Sequence, residues 1–272
     1  MTTTLPVVAR RDEAAIRRLG RQLPHALLIV AEAGLHGAAV ADFLARQQSA
    51  ERLTLCAQDK AATITTEQAR SLIAALRTTS PGRVVIIPRA EQLSESAQNV
   101  LLKAIEEPSL HTHFILVAPH AEALLSTVRS RCQTLTLHRT SPAQDEQLLA
   151  AQRLDTTTQR QLRFLAAGRP QLLEQLATTP ELRRHYSALA SDAKRIITAP
   201  QSYQALCRLQ SYANDRAAAL QLLECLLDML RFRARTTPLT QRDTQLFHAV
   251  SEAITAIRAN GNTRLALLAL VV

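Results

Sequence analysis

The segment Gly34-Leu35-His36-Gly37-Ala38-Ala39-Val40-Ala41 follows a short apolar run and opens a stretch of helical periodicity, the setting of a phosphate-binding loop. Such a loop needs glycines for a tight anion nest, a lysine for the β and γ phosphates and a hydroxyl for magnesium. Ala39 stands in place of the last glycine, Val40 in place of the lysine and Ala41 in place of the hydroxyl. Each replacement removes a donor or a ligand that phosphoryl transfer uses. His36 is read as an ordinary loop histidine in preference to an anion contact. The next nucleotide-handling element would be a strand ending in paired carboxylates. Here Gly82-Arg83-Val84-Val85-Ile86-Ile87 runs into Pro88-Arg89-Ala90-Glu91. Pro88 offers no ligand, Arg89 carries the wrong sign of charge for magnesium, and Glu91 comes too late to replace them. With both elements degenerate, the chain is expected to hydrolyse no ATP and to bind no cofactor or metal of its own.

The elements that must position these residues follow from periodicity. Apolar runs at 26–31, 84–87 and 114–118, and a shorter one at 135–137, read as strands. Residues 37–48, 66–77 and 94–107 read as helices between them, with Pro108 stopping the last. That alternation predicts an α/β module built around a mostly parallel sheet. After about residue 140 the strands vanish. Residues 142–151, 157–166 and 170–177 read as three short helices, with Gly168-Arg169-Pro170 supplying a C-cap glycine and an N1 proline. Helical patterns then continue over 181–197, 202–209, 214–233, 242–260 and 263–272. The expected organisation is an α/β module at 1–140, a small helical lid at 141–179 and an all-α domain at 180–272.

Composition narrows the function classes. The 272 residues are enough for real cores without staples. With 3% aromatics, no tryptophan and six glycines, those cores must be built from Ala, Leu, Val and Ile, against a Gly-rich propeller or a large sandwich. Cysteines 56, 132, 207 and 225 form no CxxC and no paired metal spacing, so neither a disulfide scaffold nor a zinc ribbon is expected. The net charge of +9 is shared evenly between the two halves with no basic tail, a weak pointer to acidic partners or nucleic acid. Lys60, Lys103 and Lys194 are the only lysines, and the arginine excess is read as compositional. No apolar run reaches membrane length, and the first residues turn polar too soon for a secretory signal. A soluble, cytoplasmic chain is expected.

Four segments carry a family resemblance: PHALLIVAEAG from Pro24, SAQNVLLKAIEEP from Ser96, HFILVAPHAEALLSTV from His113, and Arg129-Ser130-Arg131-Cys132-Gln133. Together they resemble the AAA+ subunits of bacterial replicative clamp loaders. The broken loop and broken second motif make the chain similar to the delta-prime group of that family, within the DNA polymerase III holoenzyme. The resemblance covers 24–137 well and the lid around Gly168-Arg169-Pro170 moderately. In the tail it rests on helical character and Asn262-Thr263-Arg264-Leu265-Ala266-Leu267. It implies an open five-membered ring of AAA+ modules tied by helical tails into a collar, in which this member hydrolyses nothing. The Ser130-Arg131-Cys132 motif is implied to present Arg131 to ATP and magnesium held by a neighbouring gamma or tau subunit. Delta is implied as a further partner, and the sliding clamp and primer-template DNA are reached through the complex, at the nucleoid-associated replication machinery. A guanidinium at a subunit edge can neutralise charge on γ-phosphoryl oxygens and contribute orders of magnitude in rate. The competing reading is a solvated or intramolecular arginine at a strand start.

Several residues keep a plainer reading beside the functional one. Arg129 faces the same way as Arg131 if their segment is extended, and its role is open. Cys132 lacks a local Cys-His-Asn arrangement and is read as a small packing residue. Lys103 and Glu107, four apart, can pair on one helical face. The resemblance puts that helix near the ring's central surface as a possible interface, and helix stabilisation is preferred. Arg231, Arg233 and Arg235 lack interleaved aromatics and are read as a solvated or collar-contacting helix end. The chain also departs from the family, whose four-cysteine zinc module is replaced by a connector at 50–65 with only Cys56. Ala118-Pro119 replaces the polar pair found at the corresponding turn of the ATPase subunits. The alternatives to a silent ring subunit are an active gamma-like ATPase and a stand-alone basic DNA-binding adaptor.

Overall fold

Five short strands, each too apolar or too short to stand alone, pair into one parallel sheet of order β2-β3-β4-β1-β5. They are β1 (Ala26–Val30), β2 (Glu51–Thr54), β3 (Arg83–Ile87), β4 (Thr112–Ala118) and β5 (Gln133–Thr136). The computed structural model describes residues 4–57, 63–76, 82–107, 111–150, 152, 154–198, 202–259 and 261–270. The chain divides into two units, Met1–Gln175 and Leu176–Val272.

In the first unit, helices α1 (Arg10–Arg21), α2 (Gly37–Arg46), α3 (Thr66–Leu76) and α4 (Glu95–Glu106) cover both faces of the sheet. Side chains alternate across a strand, so Leu27 and Ile29 face one layer while Ala26 and Leu28 face the other. The first layer joins Ile16 and Leu19 of α1 to Val40 and Leu44 of α2. The second joins Leu72 of α3 to Leu101 and Ile105 of α4, with Phe114 and Leu116 of β4. Burying each such leucine or isoleucine contributes about 1.5–3 kcal/mol, which is why the central strands read as continuous apolar runs.

Two expectations are corrected here. The connector at 50–65 contains a fifth strand, β2, whose Glu51 pairs in register with Arg83 of β3. As an edge strand it leaves Glu51 and Arg52 exposed and only half-buries Leu53, so it lacks the apolar run that marks the others. The N-terminal stretch, read only as a non-signal, forms α1. Its Asp12 is buried, accepting from the backbone N–H of His138 at 2.7 Å and lying 2.7 Å from the His138 ring. Elsewhere element ends shift by a few residues, and the expected stop at Pro108 lies outside the described residues.

Beyond β5 run α6 (Pro142–Ala150), α7 (Thr156–Ala166) and α8 (Pro170–Thr178). The turn between α7 and α8 puts both Ala167 (φ 50°) and Gly168 (φ 79°) in the left-handed region. A Cβ on Gly168 would lie 2.8 Å from the carbonyl oxygen of Thr140, so the glycine is required by close approach as well as by φ. The second unit holds α9 (Pro180–Thr198), α10 (Ser202–Gln210), α11 (Arg216–Thr236), α12 (Gln241–Arg258) and α13 (Thr263–Leu268). Its core is leucine-rich, with Leu222, Leu223, Leu226 and Leu230 of α11 packed with Ile196 of α9 and with Val250 and Ile257 of α12. Side-chain N-caps start three of these helices: Asp215 for α11, Thr240 for α12 and Asn262 for α13. Among the described residues no helix is long and apolar enough to cross a membrane, and no group of three His, Cys, Asp or Glu could hold a metal.

Candidate functional site: a filled phosphate loop and a held arginine

The loop after β1 has the backbone of a phosphate-binding loop without its chemistry. Gly34 (φ 92°) and His36 (φ 60°) take left-handed conformations, and α2 starts at Gly37. A Cβ on Gly37 would sit 2.8 Å from both the Ala31 Cβ and the Val117 Cγ1, so this glycine serves helix-on-strand packing. Val40 and Ala41 are fully buried in the first core layer, and Ala39 is exposed. None of the three offers a cation or a hydroxyl. The loop's surroundings are taken by this chain's own residues. The Gly34 carbonyl accepts from the Gln171 N–H at 3.0 Å, and a Cβ on Gly34 would lie 3.2 Å from the Cβ atoms of Arg169 and Leu172. The buried Arg169 donates to the carbonyls of Ala166 and Leu165 at 2.9 and 3.4 Å. Arg139 holds Glu32 through Nε at 3.0 Å and Nη2 at 2.8 Å, and donates to the Ala167 carbonyl. His36 lies 3.3 Å from Glu174. Burial pushes its imidazole below the ordinary histidine range, and the Glu174 charge only partly offsets this.

The second nucleotide-handling position is equally poor in ligands. Pro88 and Arg89 form the turn after β3, with Arg89 and Glu91 exposed. The strand β4 ends at Ala118, directly before Pro119. At the positions where a magnesium nucleotide would need an ammonium, a hydroxyl and paired carboxylates, the chain carries Val40, Ala41, Pro88 and Arg89.

Arg131 has a different setting. The segment before it is a single helical turn, α5 (Ser126–Arg129), and Ser130-Arg131 completes the turn before β5. This corrects the extended reading of 129–131: Arg129 is the last residue of α5, and its Nη1 lies 3.5 Å from Glu122. Arg131 forms an ion pair through Nε with Glu106, the last residue of α4. Its Nη1 donates to the Thr127 carbonyl at 2.9 Å and to the Ser130 Oγ at 3.3 Å. Among the described residues nothing takes its Nη2. Ser130 in turn donates to the Thr127 carbonyl at 3.1 Å. Cys132 packs against the second core layer, and burial raises its thiol to about 11, so it stays a protonated packing group.

The structure thus brings Ser130, Arg131, Cys132 and Glu106 together, while the loop residues 34–41 lie elsewhere. Gln133, two residues past Arg131, pairs with Leu27 near the start of β1, whereas Gly34 follows the end of β1. The arginine and the loop therefore flank opposite ends of the same strands. Lys103 and Glu107 are exposed on α4 without a mutual ion pair among the described residues, and it is Glu106 that bonds across elements. The pairings of Glu106, Arg139 and Glu174 were not legible in the sequence, because their partners lie 25 to 138 residues away and no local spacing signals them. In the tail, α11 runs through Arg231, Arg233 and Arg235, with Arg231 3.7 Å from Asp228 and Arg233 2.9 Å from Asp243.

A family model described as "DNA polymerase III, delta subunit" matches residues 46–141. The DNA polymerase III subunit delta' of Yersinia pestis is 32% identical over 169 residues, covering 56% of this chain and 46% of that protein. The delta' subunit of Haemophilus influenzae is 47% identical over 55 residues, covering 20% of this chain and 17% of that protein. The matched regions thus span less than half the length of these relatives. Among solved structures, a DNA polymerase III gamma subunit-related protein from Thermotoga maritima aligns with a TM-score of 0.52 at 16% identity, covering 95% of this chain and 96% of that one. That likeness speaks for the fold alone. Over the matched segments the chain is thus similar to the delta' subunits of DNA polymerase III, and its parallel sheet with a helical second unit shares the fold of the gamma subunit-related structure.

Proposed function

We propose that this chain is a non-hydrolysing, delta-prime-like subunit of a replicative clamp loader. In this reading it presents Arg131 to ATP bound with magnesium in a neighbouring gamma or tau subunit. It thereby supports ATP-dependent loading of the sliding clamp onto primed DNA, with delta as a further partner in the ring. The single observation that carries the reading is the position of Arg131 relative to the loop. It precedes Gln133, opposite Leu27 near the start of β1, while Gly34 follows the end of that strand. Each residue of a strand rises about 3.3 Å, so the guanidinium is separated from its own chain's loop by the length of the sheet. An arginine so placed has no phosphate to meet in its own chain and is suited to one in a neighbour.

Two properties of the loop support the silent half of the proposal. Val40 and Ala41 spend their side chains on the core, and residues 169–174 pack over Gly34 and His36. The test is a titration of the isolated chain with ATP and magnesium beside a reconstituted loader. The expected result is no turnover and no nucleotide-dependent rise in unfolding temperature for the chain alone, with DNA-stimulated hydrolysis by the gamma-type subunits rising when the chain joins them. Turnover by the chain alone would refute the silent assignment and favour the active ATPase reading.

A further inference from the structure

The Glu106 contact gives Arg131 a fixed pose before any neighbour arrives. We propose that Glu106 is a positioning residue for Arg131, holding the guanidinium from its Nε side while Thr127 and Ser130 hold Nη1, so that the side chain is ordered before a neighbour's phosphate arrives. This rests on the trans role assigned to Arg131 above. Arginine has several rotatable bonds, and ordering them only at the moment of contact costs conformational entropy that a prior contact removes in advance. One ion pair and two hydrogen bonds accomplish the ordering: Nε with Glu106, and Nη1 to the Thr127 carbonyl and the Ser130 Oγ.

The platform beneath this contact is rigid on both sides. Gln98, buried on the same helix as Glu106, donates to the Leu93 carbonyl at 3.2 Å and accepts from the Leu125 N–H at 2.8 Å. Leu125 is the N-cap of α5, so one α4 side chain ties down the start of the turn that carries Arg131. Cys132 anchors the other end by packing into the second core layer with Leu101 and Ile105 of α4. The backbones of Glu106 and Arg131 are therefore held at a set spacing, and the ion pair converts that spacing into a side-chain pose. Both side chains are 40% exposed, so their attraction is screened and its worth lies in orientation rather than in stability.

The experiment is a double-mutant cycle on DNA-stimulated ATP hydrolysis by the reconstituted loader, with assembly verified for every variant. Glu106→Ala is expected to lower kcat about 3- to 10-fold with KM for ATP unchanged, and Glu106→Gln, which keeps an acceptor oxygen, to recover part of the loss. In an Arg131→Ala background, Glu106→Ala is expected to do nothing further, whereas a merely structural role would persist there. If Arg131→Ala lowers kcat but Glu106→Ala leaves it unchanged, raises it, or adds its own loss to that of Arg131→Ala, the positioning role is overturned while the trans arginine stands. If Arg131→Ala itself leaves kcat unchanged, the underlying reading falls and this inference with it.

Discussion

His36 shows how a single residue reports on the filled loop. Its ring is 13% exposed and sits 3.3 Å from Glu174, yet burial outweighs that carboxylate and keeps its proton affinity below the ordinary value of 6.5. The folded chain therefore resists a proton that the unfolded chain accepts. The stability this confers is fully present above about pH 6.5 and is lost as pH falls from there towards the lower folded value. Thermal unfolding of the full chain is expected to show a midpoint that drops over that window, and His36→Asn should flatten the drop. Asparagine tolerates the left-handed backbone that His36 adopts, so the substitution removes the titration without straining the turn. An unchanged slope in the variant would assign the pH dependence to other groups. The sequence made the missing chemistry of this loop legible through Val40 and Ala41. It did not reveal what fills the space, because Arg169 and Glu174 reach the loop from more than 130 residues away.

At the scale of elements, close packing and capping set the costs. Gly37→Ala would place a methyl group 2.8 Å from Ala31, just past the end of β1, and from Val117 of β4. Such overpacking costs about 1–3 kcal/mol, so the urea midpoint is expected to fall, and an unchanged midpoint would mean that α2 can shift on the sheet. In the second unit, Thr240 caps α12 by accepting from the Asp243 N–H at 3.1 Å, while Asp243 accepts from the Thr240 N–H at 3.0 Å. Thr240→Ala is expected to cost about 1 kcal/mol and Thr240→Ser to cost less, read as shifts in the same urea transition. The periodicity of α2, α3 and α4 and the apolar runs of β1, β3 and β4 made most of the first unit legible. The strand β2 was not, because an edge strand with Glu51 and Arg52 exposed carries no apolar run. The four-residue helix α5 was equally hidden, being too short to show a period, and its presence turns Arg129 away from the direction an extended strand would give it. The motif itself was legible in sequence, but its Glu106 partner was not, since a contact between residues 106 and 131 leaves no spacing signal.

At the scale of the whole molecule, the loop after β1 and Arg131 lie at opposite ends of one sheet. At one end Val40 and Ala41 of the loop lie in the core, and Arg169 and Leu172 of the same chain approach Gly34 closely. At the other end an arginine is held in a defined pose with a donor unused. In the proposed reading such a chain hydrolyses nothing itself and completes a neighbour's site. The most direct test is DNA-stimulated ATP hydrolysis by a loader reconstituted with this chain or with its Arg131→Ala variant, after equal assembly has been confirmed. The variant is expected to lower the rate at least about 10-fold with the ring intact, the direction in which losing an arginine acting in trans works. An unchanged rate in a fully assembled complex would contradict the trans role of Arg131.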